Sequence, residues 1–146
     1  MNNYNIHCEK TRDCGPNPFS SDIVHAVMSN TNFRTTYWTG KHLQVTLMCI
    51  PSGGEIGLEC HKHTDQFLFI VSGKGLTQMG KCKDNLDFCR YICPGDAVCV
   101  PSDTWHNIKN CGNCPLKLFS VYAPPEHPHG TVHKTKAIAD AEENYN

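Results

Sequence analysis

Gly53-Gly54-Glu55-Ile56-Gly57-Leu58-Glu59-Cys60-His61-Lys62-His63-Thr64-Asp65-Gln66-Phe67-Leu68-Phe69-Ile70-Val71-Ser72-Gly73 is the stretch that decides the fold. Two β-rich runs, 57–63 and 66–72, flank a polar reversal at Thr64-Asp65, and glycines punctuate both ends. Alternate side chains of an extended strand share a face, so Glu59, His61 and His63 point one way and Cys60 and Lys62 the other. Gln66 opens the returning strand near the same point. Phe67 and Phe69 oppose Gln66, Leu68 and Ile70, and are expected to fill an outer layer of core.

The same texture continues in both directions. Short strands are predicted at 34–38, 44–50, 76–79, 88–93, 97–100, 104–109 and 116–122, separated by turn chemistry such as Ser72-Gly73-Lys74-Gly75, Pro94-Gly95-Asp96 and Pro101-Ser102-Asp103. Nine short strands leave no room for crossover helices, so the sheet must be mainly antiparallel. The expected fold class is all-β, an antiparallel jelly-roll β-barrel with short terminal helices or arms. Residues 1–32 read as an irregular arm carrying a short helix capped by Ser20-Ser21-Asp22, residues 33–123 as the barrel, and residues 124–146 as a tail packing on it. Three prolines between 124 and 128 keep that tail out of any central strand, and 137–143 can form a closing helix.

At 146 residues the chain fits one domain. A net charge of −1 provides no field for nucleic acid or an anionic membrane surface. The N-terminal residues lack the basic flank and apolar run of a secretory signal, and no apolar stretch is long enough to span a bilayer, so a cytoplasmic location is expected. That location disfavours disulfides among the ten cysteines. Cys49, Cys60 and Cys99 are expected to pack as small hydrophobes, and Cys111-Gly112-Asn113-Cys114 lacks the second pair that a structural zinc needs.

Some forty residues beyond the first histidines, Trp105-His106-Asn107-Ile108 supplies another histidine on a strand, with Trp105 alternating away into packing. His63 lies nearer the turn and reads as a pocket rim or an alternative ligand. Asp65 reads as a turn former or a support for Gln66. His127, His129 and His133 sit in a Pro- and Gly-rich tail without a strand to aim them, and are expected to fold over the domain. Arg34 and Lys41 are the nearest candidates for contacting a phosphate.

Two motifs make the chain similar to the cupin superfamily. The first runs Gly, His, His, Glu, Gly in that family, and its spacing is met by Gly53, Glu59, His61, Gln66 and Gly73. The second is met by Gly95, Pro101, His106 and Asn110, with Asp103 standing where the family has a turn glycine. The chain also looks like small stand-alone cupins of the mannose-6-phosphate-isomerase-like kind. The resemblance implies one divalent transition metal, Fe, Mn, Ni, Co or Zn, held inside the barrel by Glu59, His61, Gln66 and His106. Glu59 replaces a usual histidine and Gln66 a usual glutamate, which keeps one carboxylate in the set but moves it.

The implied function is a metal-dependent enzyme of isomerase or epimerase type, acting on a small sugar-like or carbonyl or hydroxy-acid ligand, with Glu59 as candidate catalytic residue. Two alternatives are an Fe(II)-dependent dioxygenase, since two histidines and a carboxylate suit that chemistry, and a non-catalytic carbohydrate-binding module. A homodimer is expected from the need of a small barrel to bury its edges.

Overall fold

The computed structural model of the protein describes residues 12–144. The portion of the predicted arm before residue 12, and the last two residues, lie outside the described residues. Helix α1, Ile23–Ser29, begins where the Asp22 carboxylate accepts a hydrogen bond from the His25 N–H. Nine strands follow the predicted order: β1 Arg34–Thr39, β2 Gln44–Ile50, β3 Glu59–Cys60, β4 Asp65–Ser72, β5 Gly75–Gly80, β6 Phe88–Ile92, β7 Ala97–Val100, β8 Trp105–Asn110 and β9 Leu116–Ala123. The tail adds a short strand that the sequence reading missed, β10 Val132–His133, and helix α2, Lys136–Glu143, capped by Thr135.

Every pairing is antiparallel. Two sheets result, one of six strands in the order β10-β1-β2-β9-β4-β7 and one of four in the order β3-β8-β5-β6. This is a jelly roll, but a sandwich and not the closed barrel expected from the strand count. Edges β6 and β7 do not pair, and a cleft of about 910 Å³ opens between them, lined by residues such as Met79, Phe88, Ile92 and Val98. Among the described residues, no helix is long and apolar enough to cross a membrane.

The predicted strand 57–63 shrinks to Glu59–Cys60. Gly57 adopts φ +108 and gives its N–H to the Asn107 side chain, which breaks the extended run on one side. On the other, the His61 carbonyl accepts the Asp103 N–H, turning the chain before His63. Asp103, the residue in place of the family's turn glycine, sits at φ 60, a conformation that Asp tolerates better than most side chains. Gly73 closes the first motif at φ +94, where a Cβ would meet the Pro115 carbonyl at 2.8 Å.

The inward faces divide the interior in two. Met48, Ile50, Leu68, Ile70, Leu116 and Leu118 make one half apolar and fully buried. Continuing along the same strand faces, Gln44, Thr46, Gln66, Ser120 and Tyr122 make the other half polar, equally buried. The outer face carries less packing than expected. Phe69 stacks on Phe119, but Phe67 on β4 and its cross-strand partner Cys99 on edge strand β7 are exposed.

Cys49 and Cys60 are half-buried free thiols, as the packing role requires. Cys14, by contrast, is disulfide-bonded. The expectation of reduced thiols weighed compartment alone, whereas pairing is decided by whether two sulfurs come within bonding reach.

Asp13 ties three remote segments together. Its carboxylate accepts from the Gly15 and Thr39 N–H groups at 3.0 and 2.9 Å, from the Thr39 hydroxyl, and from the Gly130 N–H at 3.3 Å. Burial alone would raise its pKa, but these donors outweigh it and hold the carboxyl below its usual value. Asp13→Asn is expected to lower stability by roughly 1–3 kcal/mol at neutral pH, because donors facing the second oxygen lose their acceptor. A depressed folded pKa gives stability that is present above the unfolded value, about 3.9, and lost as pH falls through the folded one. The deficit of the variant, read from urea midpoints, should therefore shrink as the pH falls below 4, and a pH-independent deficit would refute the assignment.

Candidate metal centre

The register of the four-stranded sheet sets Glu59 directly opposite His106, and His61 follows Glu59 by two residues. Three side chains from two motifs therefore meet at one place. His61 Nε2 lies 3.4 Å and His106 Nε2 3.5 Å from the same Glu59 oxygen, Oε1, and the two imidazole rings are 5.3 Å apart. Glu59 Oε1, His61 Nε2 and His106 Nε2 are all buried and none has a hydrogen-bond partner. The separations suit an ion pair but fall short of hydrogen-bond geometry. Three potential ligand atoms lie within 4.8 Å of one another, the one such group of His, Cys, Asp and Glu among the described residues.

The outer nitrogens are engaged, which fixes the rings. His106 Nδ1 donates to the Thr104 carbonyl at 2.8 Å, so in its neutral form the imidazole offers Nε2 as a lone pair. His61 Nδ1 lies 3.2 Å from Glu126 Oε1, and the other Glu126 oxygen accepts from the Thr64 hydroxyl at 3.2 Å. A carboxylate or carbonyl behind each histidine is the support that metal-binding imidazoles commonly have. For Glu59, burial would raise the pKa, yet the two histidines outweigh it and hold the carboxyl well below the ordinary range. For His61, burial lowers the pKa but Glu126 and Glu59 raise it further, to about 9.

Gln66 is buried on the inward face of β4, opposite Tyr122. Its amide donates to the Ser120 hydroxyl at 2.9 Å, which leaves the carbonyl oxygen Oε1 as a further buried atom without a partner. His63 is exposed in the turn and is not part of the cluster. Asp65 accepts the Ser102 N–H at 2.8 Å, so it links the two motif turns and does not support Gln66. Trp105 faces away from the site, beneath the Lys83 ammonium at 5.7 Å.

The tail histidines go to three separate places. His127 is edge-on to Tyr122 with its Nε2 unpartnered, His129 faces Asp13 and the Gly15 carbonyl, and His133 bridges Arg34 and Glu142. Burial and the nearby Arg34 push His127 down to about 3, so this imidazole is neutral. Lys41 is exposed, whereas Arg34 is 2% exposed and sits inside the fold.

Glu126 and His127 are the site residues that the sequence reading did not assign. Gln44 delivers them: its Oε1 accepts from the Glu126 and His127 N–H groups, and its Nε2 donates to the His127 carbonyl at 2.7 Å. The density of His and Glu in the tail was the one available signal.

An antiparallel jelly-roll sandwich with a Glu-His-His cluster between its sheets defines the class of small β-proteins built around a candidate metal centre. A family model for the cupin domain matches residues 46–122, more than half of the chain, and the protein belongs to the cupin family. It is similar to the uncharacterised YrkC of Bacillus subtilis (strain 168), at 55% identity over 91% of this chain and 72% of that protein. It is also similar to the crystal structure of BH2720 from Bacillus halodurans, with a TM-score of 0.89 and 55% identity over 89% of this chain and 98% of the other. A predicted oxalate decarboxylase of Thermotoga maritima aligns with a TM-score of 0.51 and 25% identity, covering 58% of this chain and 69% of its own.

Proposed function

We propose that Glu59, His61 and His106 hold one divalent transition metal, with the Gln66 carbonyl oxygen as a fourth, weaker donor, and that the protein is a metal-dependent enzyme acting on a small carbonyl or hydroxy-acid substrate. The observation that carries the reading is the convergence of three buried, unpartnered ligand atoms on one point. Folded proteins rarely leave such atoms unsatisfied, and a cation would satisfy all three at once.

A bound divalent ion would act as a Lewis acid on a substrate oxygen. The Thr104 carbonyl and the Glu126 carboxylate hold the two imidazoles in the orientation that presents Nε2 inward. Glu59, with its low proton affinity, suits the ligand role better than proton transfer, since a weakly basic carboxylate takes up protons poorly. Its side chain is 22% exposed, which puts the approach for a small molecule at this rim. Two histidines and one carboxylate also favour a second reading, an Fe(II)-dependent dioxygenase, which oxygen uptake confined to the iron-loaded protein would single out.

The test is element-resolved metal analysis of untagged protein expressed with Fe, Mn, Ni and Zn available, beside a His106→Ala variant. Near-stoichiometric metal in the wild type and its loss in the variant are expected. Less than about 0.1 metal per chain in the wild type, or full occupancy in the variant, would reject the site, because three ligands should retain their ion through purification.

A further inference from the structure

The metal-facing atoms are not the end of the polar deficit in this interior. Across the six-stranded sheet, Thr36 pairs with Thr46 and Thr46 with Ser120, while Gln44 pairs with Tyr122 and Tyr122 with Gln66. Antiparallel partners share a face, so these side chains line the same inward surface. Arg34, paired with both Met48 and His133, belongs to that surface as well. Tyr122 meets the His61 ring edge-on at 5.7 Å, which sets this surface against the Glu59, His61 and His106 cluster. Arg34 and Glu59 both lie close enough to Tyr122 and His127 to act on their charge.

Four atoms of this surface are buried without a partner: Arg34 Nε, Thr46 Oγ1, Gln66 Oε1 and His127 Nε2. Arg34 and Thr46 are 2% and 0% exposed. Among the described residues, the one carboxylate within 4 Å of Arg34 is that of Glu143, 3.8 Å from Nη1 and itself 55% exposed, so the Nε edge of the guanidinium faces no anion there. A guanidinium receives a carboxylate through two parallel N–H groups, and burying one without such a partner is costly. The charges agree, in a step that rests on the proposed metal: Glu59 and Glu126 together balance a divalent ion, so neither is left to pair with Arg34, whose one carboxylate partner is the exposed Glu143 at Nη1, and a monoanion fits its Nε edge. Sheets packed about 10 Å apart limit that anion to a few heavy atoms.

We propose that the polar end of the sandwich binds a small carboxylic acid, its carboxylate received by the Nε edge of Arg34 beside Thr46 and His127, and its other end directed at Glu59, His61 and His106. The Arg34 half of the site stands without metal, and the experiment exploits that. Protein stripped of metal with a chelator is titrated with acetate and with its neutral isostere acetamide, followed by NMR or calorimetry, for wild type, Arg34→Gln and Thr46→Val. Acetate is expected to bind wild type at least about tenfold more tightly than acetamide, Arg34→Gln to lose that preference, and Thr46→Val to weaken acetate severalfold. Equal binding of acetate and acetamide, or wild-type acetate affinity in folded Arg34→Gln, overturns the proposal. Should Arg34→Gln fail to fold in a thermal melt, the acetate-to-acetamide ratio of wild type and the Thr46→Val titration decide in its place. Acetate binding by a wild type that carries no metal as purified would sink the metal reading alone. Full metal content with no acetate preference would sink this one alone.

Discussion

Exchanging Glu59 for glutamine is expected to weaken binding of Mn²⁺ or Zn²⁺ by more than about 100-fold, beyond the 10–100-fold that loss of a supporting partner commonly costs. The substitution keeps the shape of the side chain and removes the one carboxylate that both His61 and His106 face, at 3.4 and 3.5 Å. The wild type should also show a steep pH dependence. Burial lowers the His61 pKa, but Glu126 and Glu59 lift it to about 9 in the metal-free protein, so a metal arriving below that pH displaces one proton. Apparent affinity should rise about tenfold per pH unit from neutrality and level off above 9.

The same shift governs the folding of the metal-free protein in the opposite sense. A raised folded pKa gives stability that is complete below the unfolded value near 6.5 and lost as pH climbs through about 9, so stripped protein should be most robust at mildly acidic pH. Glu59→Gln removes one of the two carboxylates that lift His61 and should narrow that window. Competition with a chromophoric chelator, run at roughly pH 6.5, 7.5 and 8.5, measures the affinity, and urea midpoints measure the stability. Affinity within about threefold between variant and wild type would remove Glu59 from the ligand set.

Glu59, His61, His106 and the inward position of Gln66 were legible because each rests on strand alternation plus the fixed spacing of two motifs. Alternation also separated Trp105 from His106. It misled at His63, because Gly57 and the Asp103 hydrogen bond to the His61 carbonyl end the extended run after Cys60. Glu126 was out of reach for another reason. Its place is set by the Gln44 side chain gripping tail backbone more than eighty residues away in sequence, and contacts of that kind leave no periodic trace. Barrel closure was equally hidden, since it depends on whether edges β6 and β7 meet, and local pattern specifies strands but not how far two sheets splay. Arg34 could be read as a lone cation in β1, but only its register against Met48 and His133 sets it on the inward face.

Asn110, the last residue of the second motif, serves the fold and not the ligand set, and its replacement by alanine is expected to cost about 3 kcal/mol of stability. The residue is 5% exposed and far from idle. Its Nδ2 donates to the Ile50 carbonyl at 3.0 Å and to the Cys114 carbonyl at 2.9 Å, while Oδ1 accepts the Gly112 N–H at 2.9 Å. One side chain thus closes the loop between β8 and β9 and fastens it to the end of β2. Alanine would remove three hydrogen bonds and leave the buried Ile50 carbonyl without this donor, each loss being worth about 1 kcal/mol, with more for an acceptor stranded away from water. At this chain length, 3 kcal/mol corresponds to a fall in Tm of roughly 6–12 °C. Asn110→Asp separates the two kinds of bond, since it keeps an acceptor for Gly112 but loses both donations, and should fall nearly as far as alanine. Metal content should be unchanged in both variants, because Asn110 lies at the apolar end of β8 and His106 four residues earlier at the polar end. A Tm within about 2 °C of wild type for Asn110→Ala would show that the loop is held by its backbone alone.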